Sequence, residues 1–213
     1  AFAIGALVFL GSILYTIFTT SEYPPEDLEK FKEEKEASKG FLTGIKEIST
    51  HIVNMPRTMA KLGVIQFFSW FAFFTMWSMA TPALTEKVFK APKPEPPVEM
   101  SMEQQSAYKQ ADKAYNEAAD KVGSAMGNYG LSSMCFALLL TLYTRKRRIN
   151  RKFLHMTSLF AGGLGFLLMK YVDNELGLGL CFVLIGISWG SILSMPYAML
   201  SSSVDPNKMG VFM

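Results

Sequence analysis

Five long apolar runs, at about 1–20, 62–85, 123–144, 153–169 and 176–203, alternate with segments that hold nearly all of the charge. Each run reaches or approaches the roughly 20 apolar residues that an α-helix needs to cross a bilayer. The run at 153–169 is the shortest, and the one at 176–203 is expected to end before Ser201. The pattern predicts an all-α polytopic membrane helix bundle of about five transmembrane helices. The polar segments have structure of their own. PPEDLEKFKEEKEASK opens with Pro and acids, which suit a helix N-terminus. GFLTGIKEISTHIVNMP then places Leu42, Ile45, Ile48 and Ile52 on one face, as in a helix lying on the membrane surface, until Pro56 ends it. His51 in that segment reads as a solvated or interfacial histidine. APKPEPPVE is a stiff linker, and the polar helix after it is expected to run directly into the third span.

The second run carries the most information. LGVIQFFSWFAFFTMWSMATPALT has no charge between Lys61 and Glu86, yet it holds Gln66, Trp70 and Trp77. At ~100° per residue, Gln66, Trp70, Phe73, Trp77 and Thr81 lie within about 80° of one another. The far side holds Val64, Phe68, Ala72, Thr75 and Met79. A polar, aromatic face at bilayer depth looks toward other helices or a water-filled cavity, and it is a surface that suits a sugar. The competing reading makes the Trp rings interfacial anchors or core packing. Trp70 lies about 14 Å along the axis from Lys61, too deep for an anchor, whereas Trp77 fits that role.

Half of the 213 residues are hydrophobic and 18% are charged, which is low for a soluble domain. The net charge of +3 carries no nucleic-acid signal, because the basic residues sit beside the spans. The densest cluster, RKRRINRK at 145–152, marks a cytoplasmic loop by the positive-inside rule. Alternation then puts 21–61 and 204–213 inside, with 86–122 and the 170–175 turn outside. Fourteen Lys and Arg fall on the inside and seven on the outside. The outer segment is balanced by Glu86, Glu95, Glu99, Glu103, Asp112, Glu117 and Asp120. The apolar start has no basic leader, so no signal peptide is read, and the abrupt ends suggest a piece of a longer membrane protein. Cys135 and Cys181 lie inside spans and read as small buried hydrophobes.

No nucleotide loop, zinc motif or nucleophile elbow is present, no cofactor is expected, and the chain does not read as an enzyme. An intramembrane enzyme needs ionisable groups within its spans, and their central parts hold none. His155 is expected to pack near the basic loop rather than relay protons. The remaining polar candidates are Asn128, Tyr129, Ser132 and Ser133 in the third run, with Trp189, Ser191, Ser194 and Tyr197 in the fifth. Trp189, Leu193 and Tyr197 share a face at a spacing of four; Tyr197 equally suits an interfacial anchor. Ser191 and Ser194 are expected to bond back to their own helix. Pro196 is expected to bend or break the last span and to free a carbonyl. Gly123 and Gly127, Gly162, Gly163 and Gly165, and Gly186 and Gly190 are the positions expected to let helices approach closely.

Three segments, MPRTMAKLGVIQFFSWFAFFTMWSMATPAL, RRINRKFLH and WGSILSMPYAMLSSSVDPNKMGVFM, together resemble the sugar symporters of the major facilitator superfamily. The nearest branch is the sucrose/maltose-type, glycoside–cation symporter group. The similarity runs from about Met55 to Met213, and its most specific parts are Ser194–Ala198 and Lys208–Val211. The loop at Arg147, Arg148, Asn150, Arg151 and Lys152 resembles the basic cytoplasmic signature of that superfamily. Asn150 stands where Gly is expected, a residue that tolerates the left-handed conformation, and the usual acid is missing.

The resemblance implies twelve spans in two halves. Residues 1–20 would be the last span of the N-terminal half, 21–61 the central cytoplasmic loop, and 62–213 part of the C-terminal half. It implies alternating-access transport of a disaccharide or other glycoside, by symport with a cation, the proton first, in a plasma or bacterial inner membrane. Trp70 or Trp77 would stack on the sugar ring while Gln66 and Asn128 bond its hydroxyls, with Tyr129, Trp189 and Tyr197 as further lining. A coupling carboxylate is missing from the spans and is expected in the absent N-terminal half. The other reading of the residues is a non-transporting multi-pass receptor or scaffold, which the long outer segment suits.

Overall fold

The computed structural model describes residues 2–20, 53–96 and 101–204, together with isolated positions between 29 and 50. Among them the chain is all-helical. Five helices occur in order: α1 (Phe2–Thr19), α2 (Arg57–Lys87), α3 (Met102–Thr144), α4 (Arg151–Leu168) and α5 (Glu175–Leu200). Each falls on one of the five apolar runs. Most of the surface helix expected near 40–56, with His51, and the Lys208–Val211 motif lie outside the described residues.

The chain divides into two units, Ala1–Asn54 and Met55–Met213. The first holds α1, whose Ser12, Thr16 and Thr19 hydroxyls donate to the carbonyls four residues earlier, at 2.9, 2.9 and 2.6 Å. These three hydroxyls are thus satisfied within the helix, as an apolar surrounding requires.

The second unit is a bundle centred on α5, which packs extensively against α3 and α4 and more lightly against α2. Leu178, Phe182, Ile185 and Ile192 are fully or almost fully enclosed along α5. Length and composition let α2, α3 and α5 cross a membrane. α4 has 18 residues, about 27 Å of helix, and it begins with Arg151 and Lys152. α3 is one continuous helix of 43 residues, about 65 Å and twice a bilayer core. The polar helix that follows the Pro-rich linker and the third apolar run are therefore one rod. A capping box starts it: Gln104 N–H donates to Ser101 Oγ at 3.3 Å, and Ser101 N–H donates to Gln104 Oε1 at 3.0 Å. At its C-terminal end α2 is tied to α4, because Lys87 Nζ donates to the carbonyls of Met169, at 3.2 Å, and Lys170. A cation there complements the C-terminal end of α4.

Several expectations are corrected. Asn150 is not left-handed: at φ −81° and ψ 96° it caps α4, and its side chain accepts the Phe153 N–H at 3.1 Å. Pro196 does not break α5, which stays helical to Leu200. Cys135 is exposed on α3, whereas Cys181 is buried as expected. Only some of the glycines serve close packing. A Cβ on Gly186 would collide with Ser132 Oγ and the Tyr129 backbone, and one on Gly162 with Ser188. A Cβ on Gly165 would come 2.8 Å from the Cys181 carbonyl, and one on Gly190 would come 2.9 Å from the Phe136 ring. A Cβ on Gly123, Gly127 or Gly163 would meet nothing within 4 Å. The α3–α5 and α4–α5 seams thus need small residues mainly on α5 and on one side of α4.

Candidate functional site

The buried seam of α2 is Phe73, Met76, Ala80 and Leu84, at helical spacings of three and four. The Gln66–Trp70–Trp77–Thr81 stripe lies roughly 60° around the helix from the middle of that seam. It therefore runs along the flank of the packed face. Trp70 and Trp77 each keep 36% of their surface exposed. The far side is open as expected, with Val64, Phe68 and Met79 exposed.

The tryptophans converge on α5. The ring of Trp189 lies 5.4 Å from Trp70, 5.4 Å from Trp77 and 4.8 Å from Phe73, centroid to centroid. Both Trp pairs are edge-to-face, at 81° and 83°, and Trp70 meets Trp77 at 6.2 Å. Tyr129 of α3 closes the group at 6.5 Å from Trp189. Four candidates from three helices, Trp70, Trp77, Tyr129 and Trp189, thus form one aromatic cluster. Each edge-to-face pair is worth about 0.5–1.5 kcal/mol beyond its burial. Packing therefore explains why the rings are ordered, while their exposure leaves ring faces for a ligand.

Gln66 sits one turn before Trp70, and its Nε2 donates to the Ile192 carbonyl of α5 at 3.3 Å. Pro196 is the cause. It stands four residues after Ile192 and has no N–H, so that carbonyl loses its helical donor. A carbonyl left bare in a bilayer costs several kcal/mol, and Gln66 supplies the replacement. A carbonyl can only accept, which fixes the orientation of the amide. Oε1 of Gln66 is then buried with no partner among the described residues. A second tie lies on the other side of α5. His155, 3% exposed, lies with Nδ1 2.8 Å from Oγ of Ser191, and its Nε2 is buried without a partner among the described residues. His155 therefore points into the α4–α5 seam instead of resting beside the basic loop. Ser191 is committed to His155, whereas Ser194 bonds back to Gly190 at 2.6 Å, as expected. A third tie, Ser132 Oγ to the Val183 carbonyl at 3.0 Å, joins α3 to α5.

Two candidates lie apart from the cluster. Asn128 is half-buried and faces a cavity of about 420 Å³ beside Gly179 and Glu175. Its neighbour Tyr129, turned ~100° from it, is the one that reaches Trp189. Tyr197 is 55% exposed, about 12 Å further along α5 from Trp189. Leu193 between them is 46% exposed, so the shared face of Trp189, Leu193 and Tyr197 runs along an open flank. Arg147, Arg148, Arg151 and Lys152 are exposed at the other end of the bundle, with Asn150 as the helix cap. The His155–Ser191 and Gln66–Ile192 contacts were not foreseen. Pro196 was the available signal for the second: a freed carbonyl implies a donor nearby.

Among the described residues, no His, Cys, Asp and Glu cluster suits a metal ion. Neither the curated proteins nor the solved structures compared with the chain give a match. The family model described as Major Facilitator Superfamily matches residues 1–213, the whole chain. The all-helical architecture, with three helices long and apolar enough to cross a membrane, agrees with it, and membrane transport is the function class it supports. The chain belongs to the Major Facilitator Superfamily.

Proposed function

We propose that the protein moves a disaccharide or related glycoside across the membrane by alternating access, coupled to a cation and most simply a proton. The observation that carries this reading is the convergence of Trp70, Trp77, Tyr129 and Trp189 on a half-open flank, one turn from Gln66. Ring faces match the C–H face of a pyranose, and a sugar stripped of water needs partners for its hydroxyls. Oε1 of Gln66, enclosed and unpartnered among the described residues, is the acceptor that one such hydroxyl would take once the helices part, with the Nε2 bond to Ile192 kept. Asn128, Tyr197 and the cytoplasmic orientation of 21–61, 145–152 and 204–213 belong to the same proposal, with 1–20 and 62–213 in opposite halves of the transporter. The halves then rock about a midplane site. Glu86 and Glu175 stand at helix ends, and Glu117 and Asp120 lie on the polar N-terminal half of α3, so the coupling carboxylate is assigned to another part of the protein.

The test is radiolabelled disaccharide uptake by the full-length protein in proteoliposomes, with and without an inward proton gradient. Gln66→Ala and Trp77→Ala should each weaken uptake at equal expression. Wild-type uptake in both variants sinks the site. Uptake indifferent to the gradient removes proton coupling, and absence of any uptake favours a receptor or scaffold.

A further inference from the structure

At the end of the bundle that carries the 145–152 loop, α3, α4 and α5 enclose an open cavity of about 560 Å³. That volume lies within the roughly 300–1,000 Å³ typical of small-molecule sites. Leu140 and Thr144 of α3 and Met195 and Ala198 of α5 form its floor. Arg147, Arg148 and Arg151 form its rim. Six of the eight residues at 145–152 are basic and none is acidic. Among the described residues no carboxylate lies within ion-pair distance of these three arginines. Arg151 spends one N–H on the Ala198 carbonyl, which pins its guanidinium to the cavity wall. A guanidinium has five donors, so this bond leaves the fork largely free. Three like charges at one cavity repel one another, and an anion seated among them reverses the sign of that interaction.

We propose that this cavity binds the phosphodiester headgroup of an anionic phospholipid. Arginine presents a planar fork that matches phosphate oxygens two at a time. The neighbouring surface selects a lipid over a free anion. Leu138, Leu139, Leu142 and Tyr143 of α3 and Phe153 of α4 are exposed beside the rim, a wall on which acyl chains can lie. Basic pockets between membrane helices are suited to such headgroups. The inference rests on membership of a membrane family and stands whether or not a sugar is the substrate.

Three basic residues of the loop, Arg145, Lys146 and Lys152, do not line the cavity, and this allows a charge-matched test. The full-length protein in detergent is titrated with phosphatidylglycerol, and retained lipid is counted by native mass spectrometry. Phosphatidylcholine and glycerol 3-phosphate serve as the competing arms. Arg147→Gln with Arg148→Gln should weaken phosphatidylglycerol binding tenfold or more. Lys146→Gln with Lys152→Gln, which removes the same charge, should change it less than twofold. Arg147→Lys with Arg148→Lys keeps charge and fold while losing the fork, and should fall between the two. Equal losses in both Gln pairs would show diffuse attraction and overturn the site. So would phosphatidylcholine binding as tightly, or glycerol 3-phosphate displacing the lipid at equal concentration.

Discussion

Gln66 and Pro196 should be energetically coupled although they sit on different helices. Pro196 deprives the Ile192 carbonyl of its donor, and Gln66 Nε2 takes that place at 3.3 Å. Gln66→Leu removes the bond and leaves the carbonyl bare. Interhelical hydrogen bonds in membranes measure ~0.6 kcal/mol on average and ~1.7 at most. The bare carbonyl adds about 1–3 kcal/mol. Loss of the buried, unpaired Oε1 offsets part of this, so the net cost should be about 1–2 kcal/mol. In Pro196→Ala the new backbone N–H returns to Ile192, and Gln66→Leu should then cost less than about 0.5 kcal/mol. The coupling energy is therefore about 1 kcal/mol. Equilibrium unfolding in mixed detergent micelles, run as a double-mutant cycle, measures it. Additive costs within ~0.3 kcal/mol would refute the reasoning, since Gln66 would then have some other role.

Other substitutions read the remaining seams. Gly186→Val should abolish folded protein, because its side chain enters the space of Ser132 and the Tyr129 backbone, while Gly163→Val should be tolerated; size-exclusion chromatography compares the yields. His155→Leu and Ser191→Ala should each cost about 0.5–1.5 kcal/mol and be non-additive in a thermal-melt cycle, because they break one shared contact. In detergent, N-ethylmaleimide should label Cys135 well before Cys181, with mass spectrometry of the peptides following the order.

The helices were legible because a bilayer demands runs of apolar residues, and such runs stand out between charged segments. The face of α2 was also legible in outline: 3.6-residue periodicity puts Gln66, Trp70 and Trp77 together whatever lies opposite. What lies opposite was not. The periodicity could not show that Phe73, Met76, Ala80 and Leu84 form the seam, with the tryptophans beside it. That offset depends on how α2 crosses α5. The same limit hid the partner of Gln66, although Pro196 announced a carbonyl in need of one. Gly123 and Gly127 have the same spacing as Gly186 and Gly190, yet only the latter face a neighbour closely. Spacing gives a face of a helix, and only packing tells which face is used. His155 shows this at a single residue: the basic loop beside it in sequence suggested packing near that loop, but α4 turns it toward Ser191.

The central claim is that a sugar meets the aromatic flank of α2 and α5. Residues 1–213 hold three tryptophans, Trp70, Trp77 and Trp189, and all three are in the cluster. Tryptophan emission, recorded in the full-length protein with any other tryptophan replaced by phenylalanine, therefore reports on that flank alone. A saturable change on adding the transported disaccharide, lost in Gln66→Ala, is the predicted result. Saturable transport of a disaccharide with no change in emission would contradict it.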